Sequence, residues 1–216
     1  MKLLALDCST VRASIALLEN CDLIHEQTWE TAGARHENIV DHIARLMERG
    51  GWSFDDVERI AVGRGPGAYS GLRASLLAAQ ALAAPSHTPV MAVSSMDALA
   101  FRLMREHEIN RITIIGDARR DSVWLGRCVM DELLATPTSW EIVPVNEAVN
   151  QLTGDGLIAT PHWPALEKIR EQLSQANWIK ESQHPTAFDV ASLALLRLEN
   201  HADPDPLNPL YLHAAV

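Results

Sequence analysis

The sequence has no cysteine pair, no cluster of basic residues and no lysine where a phosphate-binding loop would place one. Its three cysteines, Cys8, Cys21 and Cys128, are an odd number without C-x-x-C spacing. That excludes a disulfide framework and fits free thiols in a reducing compartment, here the cytoplasm. The opening MKLLALDCST holds a short apolar run broken by Asp7, too short for a signal-peptide core or a transmembrane span. With 28 acidic against 18 basic residues the net charge is −10, so a phosphate backbone is repelled, and another protein is expected to hold any nucleic acid involved. None of the nine histidines stands three or four residues from another, which excludes a helix-borne metal pair and leaves them as solvated or capping residues. Ser70 lies in A-Y-S-G-L rather than G-x-S-x-G, and no cysteine–histidine nucleophile pairing is apparent, so a hydrolase has little support.

What is present is a chain of 216 residues, long enough for one large domain or two smaller lobes. It is organised around RIAVGRGPGAYSGLRASLLAAQALAA, from Arg59 to Ala84. Arg59 to Val62 read as a buried strand, Gly63 to Gly71 as a tight loop, and Leu72 to Ala84 as helix. A strand-loop-helix unit rich in glycine aims backbone N–H groups at a phosphate or a carboxylate, or simply lets the strand turn into a closely packed helix. No Gly-Lys-Ser/Thr follows, so this is not a Walker loop. Gly63, Gly65 and Ala68 fit G-x-G-x-x-A, but not in the first strand-helix turn of the chain. The helix carries only Arg73, Ser75 and Gln80 as polar side chains. A helix apolar almost all round has to be covered on both sides, by a second layer of this chain or by another protein.

Taken in order, Lys2–Leu6, Ala13–Glu19 and Leu23–Glu30 read as an antiparallel meander. A helix follows from His36 to Arg49, stopped by Gly50-Gly51. The glycine-rich unit comes next, then a strand at Val90–Val93 and a helix from Met96 to Glu106 capped by Ser94-Ser95. This β-β-β-α-β-α-β-α order is that of a ribonuclease-H-like core, the half-unit of the actin, sugar-kinase and Hsp70 (ASKHA) superfamily. Strand, Asp and polar turn recur at Arg111–Asp117 and Ser122–Cys128, as an old duplication leaves them. The expected fold is therefore α/β, a two-lobed ASKHA fold of two ribonuclease-H-like halves. Residues 1–107 would form the first lobe and 108–216 the smaller second, with the last helix and tail packing back on the first. Beyond the repeat, Trp140–Val145 reads as a strand, Gly154-Asp155-Gly156 as a tight turn, Pro164–Leu173 as a short helix and Thr186–His201 as a long one. The proline-rich tail reads as extended.

Two sites follow from this reading. In the superfamily the turn after the first strand faces the phosphates or metal of a nucleotide, which nominates Asp7, Ser9, Thr10, Gly65, Gly67 and the matching Asp117 as a cleft. Two carboxylates are few for a two-metal centre. The second site is a hydrophobic surface of two helices, nominating His36, Ile39, Val40, Ile43 and Met47 with Leu72, Leu76 and Gln80.

The opening LLALDCST with ASIALLE, the GRGPGAYSGLR run from Gly63 to Arg73, Asp117-Ala118-Arg119 and the closing Pro209-Leu210-Tyr211-Leu212 resemble the bacterial TsaB (YeaZ) family of tRNA threonylcarbamoyladenosine biosynthesis proteins, over essentially the whole chain. The resemblance implies a subunit without catalysis of its own. It would dimerise with and activate a TsaD-like catalytic subunit through helices His36–Arg49 and Ser70–Ala84, joined by a TsaE-like ATPase. Alone it would form a homodimer through the same surface. The transfer places threonylcarbamoyl on the adenosine next to the anticodon of tRNAs reading codons that begin with A, so tRNA is an indirect partner. ATP or ADP with Mg enters at the level of the complex, and no metal or cofactor is expected on this chain. The alternative is a small ATPase or phosphotransferase using Asp7 and Asp117, and a protease acting on its partner is a third reading. Ser122, Trp124 and His213 depart from the family pattern near the expected lobe cleft and the tail.

Overall fold

The computed structural model describes residues 1–31, 38–131, 138–154, 156–172, 176–203 and 205–212. The chain divides into two compact units, Met1–Leu99 with Pro185–Tyr211, and Ala100–His184 with Leu212. In the first unit an antiparallel meander of β1 (Lys2–Asp7), β2 (Arg12–Glu19) and β3 (Asp22–Glu30) precedes α1 (Ile39–Gly50) and β4 (Arg59–Gly63). Then come α2 (Tyr69–Ala83), β5 (Val90–Val93) and α3 (Ser95–Glu106), and the division falls within α3. The sheet order is β3-β2-β1-β4-β5, with β4 parallel to β1 and β5 parallel to β4.

The second unit repeats this order. Its meander is β6 (Arg111–Arg119), β7 (Ser122–Val129) and β8 (Glu141–Pro144), followed by α4 (Val145–Leu152), β9 (Leu157–Ala159), α5 (Trp163–Gln172) and β10 (Asn177–Trp178). The sheet reads β10-β9-β6-β7-β8, with β9 parallel to β6 and β10 parallel to β9. Counting strands within each unit, both sheets run third-second-first-fourth-fifth. Two ribonuclease-H-like sheets in one α/β chain are the ASKHA architecture, and the duplicated strand-Asp-turn motif occupies the same place in each.

Several elements differ from the sequence reading. The strand expected over Trp140–Val145 ends at Pro144, which precedes the helix α4 as its N-cap; Val145 N donates to Asp121 O at 3.0 Å. The sequence pattern shows no sign of that helix. Nor does it show β9 and β10, whose three and two residues are too few to have a period. β6 runs past Asp117 to Arg119 through a register shift, and Arg119, Arg120 and Asp121 take positive φ at the turn. Asp155, in the expected Gly154-Asp155-Gly156 turn, lies outside the described residues, as does His213.

Capping fixes the helix ends. Asn38 accepts from Val40 N at 3.1 Å at the start of α1, and Gly51, at φ 65°, closes its end. The last helix, α6 (Ala187–Glu199), begins with a capping box between Thr186 and Asp189. In the first unit Ile43, Leu46 and Met47 of α1 and Leu76, Ala79 and Ala83 of α2 pack with Leu4, Leu6, Ile15, Leu17, Ile60 and Val62 of the sheet. Ser14 alternates with Ile15 and so faces the other way, where its Oγ accepts from Ala187 N at 2.6 Å. Hence α6 covers the opposite face of the same sheet. His42 belongs to the core rather than to solvent: it is buried, stacks on Trp29 with ring centres 4.0 Å apart, and lies 2.8 Å from Gln27 Nε2 through Nδ1. Among the described residues no helix is long and apolar enough to cross a membrane.

Candidate functional site

Asp7 ends β1, and its carboxylate is turned into its own loop. Ser9 N and Ser9 Oγ donate to Asp7 Oδ1 at 2.9 and 2.7 Å. Gly63, at the end of neighbouring β4, borders Asp7 Oδ2 and the Ser95 hydroxyl so closely that a Cβ there would overlap both. Ser95 Oγ also accepts from Gly65 N at 3.1 Å. Beyond this, Gly67 and Gly71 lie against the backbone oxygens of Ser9 and Cys8, and Ala68 N donates to Ser9 O at 2.7 Å. The glycines therefore let the loop close over the Cys8-Ser9 turn. Asp7, Ser9 and Thr10 are buried.

The structure thus brings Asp7, Ser9, Gly65 and Gly67 together, but as a packed joint and not as the open cleft expected. Oδ1 of Asp7 is taken up by Ser9 and Oδ2 is buried without a hydrogen-bond partner, and no group of three or more His, Cys, Asp or Glu side chains among the described residues is placed to hold a metal ion. Asp117, in the second unit, repeats the turn: its Oδ1 accepts from Arg119 N at 2.8 Å, and Arg119 Nε lies 3.5 Å from Oδ2. Unlike Asp7 it is partly open to solvent, its side chain 23% exposed.

Burial sets the protonation of these turns. It pushes Asp7 up to about 6, although the Ser95 hydroxyl and the Ser9 hydrogen bonds pull the other way. It also pushes up the buried Cys8 thiol, with the Asp7 charge adding to the effect, so Cys8 is no nucleophile at neutral pH. In the second unit burial lowers His162 to about 4, against the neighbouring Asp117 carboxylate. Its Nδ1 accepts from Asp117 N at 3.1 Å, and its ring lies edge-on to Trp124.

The two groups act in opposite directions. Folded Asp7 holds a proton that the unfolded chain releases above about 4, so its contribution is complete at low pH and is lost as pH rises through about 6. Folded His162 lacks a proton that the unfolded chain takes up below about 6.5, so its contribution is complete at neutral pH and is lost as pH falls towards 4. Asp7→Asn, which keeps the oxygen that Ser9 bonds, should gain on the wild type between pH 4 and pH 7.5 by roughly 2–3 kcal/mol in urea unfolding, because each tenfold change in proton affinity is worth about 1.4 kcal/mol. A difference that stays flat over this range would refute the assignment.

The helical residues sort into two groups. Ile43, Met47, Leu72 and Leu76 are buried in the chain's own core, so their side chains do not form the surface nominated from the sequence. Ile39 is half-buried and packs on the same cluster, Val40 is 48% exposed, Gln80 is exposed, and His36 lies outside the described residues. The outer face of α2 is Ser70, Arg73, Ala74, Leu77, Gln80 and Ala81, with Leu77 65% exposed. The polar residues mark this face. Ser70, Arg73 and Gln80 recur at helical spacing, and Leu77 falls four residues after Arg73. Ser75 misleads because its hydroxyl bonds back to Gly71 O and Leu72 O, each at 3.2 Å.

A cavity of about 500 Å³ in the second unit is bordered by Glu167, Arg170, Glu171, Trp178 and Lys180 among others. Its two acids offset its two bases, and none of the nominated residues lines it.

The sequence matches the protein family described as "TsaD: tRNA N6-adenosine threonylcarbamoyltransferase" over residues 29–152. It is 28% identical over 183 residues to the "tRNA threonylcarbamoyladenosine biosynthesis protein TsaB" of Haemophilus influenzae, covering 80% of this chain and 77% of that protein. Against the Escherichia coli protein of the same description it is 26% identical, covering 90% of this chain and 86% of the relative. The structure of YeaZ from Pseudomonas aeruginosa superimposes with a TM-score of 0.77 at 27% identity, covering 98% of this chain and 99% of that one. The chain belongs to the TsaB/YeaZ family of tRNA threonylcarbamoyladenosine biosynthesis proteins.

Proposed function

We propose that this chain is a cytoplasmic subunit without chemistry of its own, which pairs with a TsaD-type catalytic subunit and activates threonylcarbamoyl transfer to the adenosine next to the anticodon. Pairing uses the outer faces of α1 and α2, a TsaE-type ATPase joins the assembly, and the free chain forms a homodimer through the same faces. tRNA and nucleotide are held elsewhere in the complex.

The observation that carries this reading is the enclosure of Asp7. The acid that would face nucleotide phosphates in an ASKHA enzyme is bonded through Oδ1 by Ser9 and covered by Gly63 and Ser95 of its own unit, with Oδ2 buried and without a hydrogen-bond partner. The exposed aliphatic strip on α2 supports the second half of it, because a contiguous exposed apolar surface on a soluble protein marks a partner. A net charge of −10 is consistent with tRNA lying on another subunit.

Reconstitution tests the proposal. With a TsaD-type subunit, a TsaE-type ATPase, tRNA and substrates, omitting this chain should lower modification by at least about tenfold, an activating effect of ~1.4 kcal/mol or more. Asp7→Asn should retain most of the activity. Modification that proceeds unchanged without the chain would overturn the role. Loss of turnover in Asp7→Asn with the complex still assembled would favour an ATPase or phosphotransferase centred on Asp7.

A further inference from the structure

Residues 205–211 form a strap along the first unit. Asp205 makes an isolated antiparallel bridge to Ala92 of β5, and its carboxylate accepts from Arg197 Nη1 at 3.0 Å, while Arg197 Nη2 lies 3.5 Å from Asp97 Oδ2. Arg64, in the glycine-rich loop, donates through Nε and Nη2 to O and Oδ1 of Asn208 at 2.9 and 2.8 Å; its own carbonyl accepts from Leu210 N at 2.7 Å. At the far end Leu207 O accepts from Gln80 Nε2 at 3.5 Å. At the near end the Tyr211 ring stacks on Tyr69 with centres 5.0 Å apart, and the Arg73 guanidinium lies 4.7 Å from the Tyr69 ring centre.

These contacts fix the direction of the strap. Tyr69 and Gln80 are separated by roughly 16 Å along α2 at 1.5 Å per residue, and Leu207 to Tyr211 spans roughly 13 Å when extended. The strap therefore runs antiparallel to α2, from its last turns to its first.

We propose that the strap, Asp205–Tyr211, is the second wall of the surface that receives the TsaD-type subunit, with Leu207 and Tyr211 flanking Leu77 and Tyr69 in one continuous apolar face. This rests on the pairing proposed above and adds to it an element that neither α1 nor α2 supplies. Tyr69, Tyr211 and Leu207 are all exposed, at 57%, 40% and 36%. Charge argues for the occupant. In a chain of net charge −10, α2 contains no acidic residue, and the only acid of the strap, Asp205, is buried against Arg197. The exposed charge of the combined face is that of Arg73, so the complementary surface is an apolar helix of the partner with a carboxylate opposite Arg73.

The experiment measures Kd for the TsaD-type subunit together with amide hydrogen exchange of the free chain. Leu207→Glu and Tyr211→Ala, both at exposed positions, should each weaken pairing by about tenfold or more while the thermal midpoint stays within ~2 °C. Asn208→Ala, which removes the side-chain acceptor of Arg64 Nη2 and leaves the backbone bonds, should speed exchange over residues 64–72 by a few-fold in the free chain and weaken pairing as well. Leu23→Glu, on the edge strand β3, should leave Kd unchanged. If Leu207→Glu and Tyr211→Ala pair like the wild type while Leu77→Glu does not, the strap is no part of the surface and the pairing itself stands. A wild-type chain that does not bind the TsaD-type subunit at all overturns both.

Discussion

Leu77→Glu is expected to abolish pairing with a TsaD-type subunit, weakening Kd by about two orders of magnitude or more, with no loss of thermal stability. In the free chain the new carboxylate replaces a side chain that already faces water on α2, so folding is indifferent to it. In the complex the same charge would be desolvated against an apolar helix, with only Arg73 one turn away as a counter-charge on α2, at a cost of several kcal/mol. Co-elution and titration calorimetry read the binding, and circular dichroism reads the fold. The neighbouring change Leu76→Glu makes the contrast: Leu76 is buried in the cluster shared by α1, α2 and the sheet, so that variant should fail to fold. An unchanged Kd for Leu77→Glu would remove α2 from the interface.

Arg197→Leu is expected to destabilise the chain by about 3–5 kcal/mol, lowering the thermal midpoint on the order of 10 °C for a chain of this size. Asp97, Arg197 and Asp205 are buried, and the guanidinium lies between the two carboxylates, 3.5 Å from one and 3.0 Å from the other. Without it two buried acids share one low-dielectric site with Arg64 as the remaining nearby cation, which favours their taking up a proton. Pairing Arg197→Leu with Asp97→Asn and Asp205→Asn should recover part of the loss. By comparison, breaking the exposed Arg102–Glu106 pair on α3 should change stability by less than about 1 kcal/mol. Urea unfolding measures all of these, and a loss under about 1 kcal/mol for Arg197→Leu would show that the cluster is not the clamp it resembles.

The parts legible in the sequence are those built from local pattern. β1, β2 and the Asp7 turn stand out in LLALDCST with ASIALLE because alternation and turn chemistry are short-range, and the same holds for β6, β7 and Asp117. What escapes a sequence reading is set at longer range or is too short to have a period. α4 follows Pro144 within a stretch that reads as strand, and β10 has two residues. The outer face of α2 is marked by Ser70, Arg73 and Gln80, but Ser75, polar and buried by bonding its own helix, obscures that signal. The enclosure of Asp7 depends on Gly63 and Ser95, and the Arg197 cluster joins residues 100 positions apart in the chain; neither carries a spacing signal. His42 reads as solvated for the same reason, since Trp29 and Gln27 cover it from another element.

The paired turns at Asp7 and Asp117 have a wider consequence. Both retain the acid, both fold it back on the amide two residues ahead, and a search keyed to the motif would rank them alike. Yet one is mortar between strands and the other still meets water. In folds made of repeated halves, two copies of one turn can keep the same acid and differ in its accessibility, so exposure and not residue identity tells them apart.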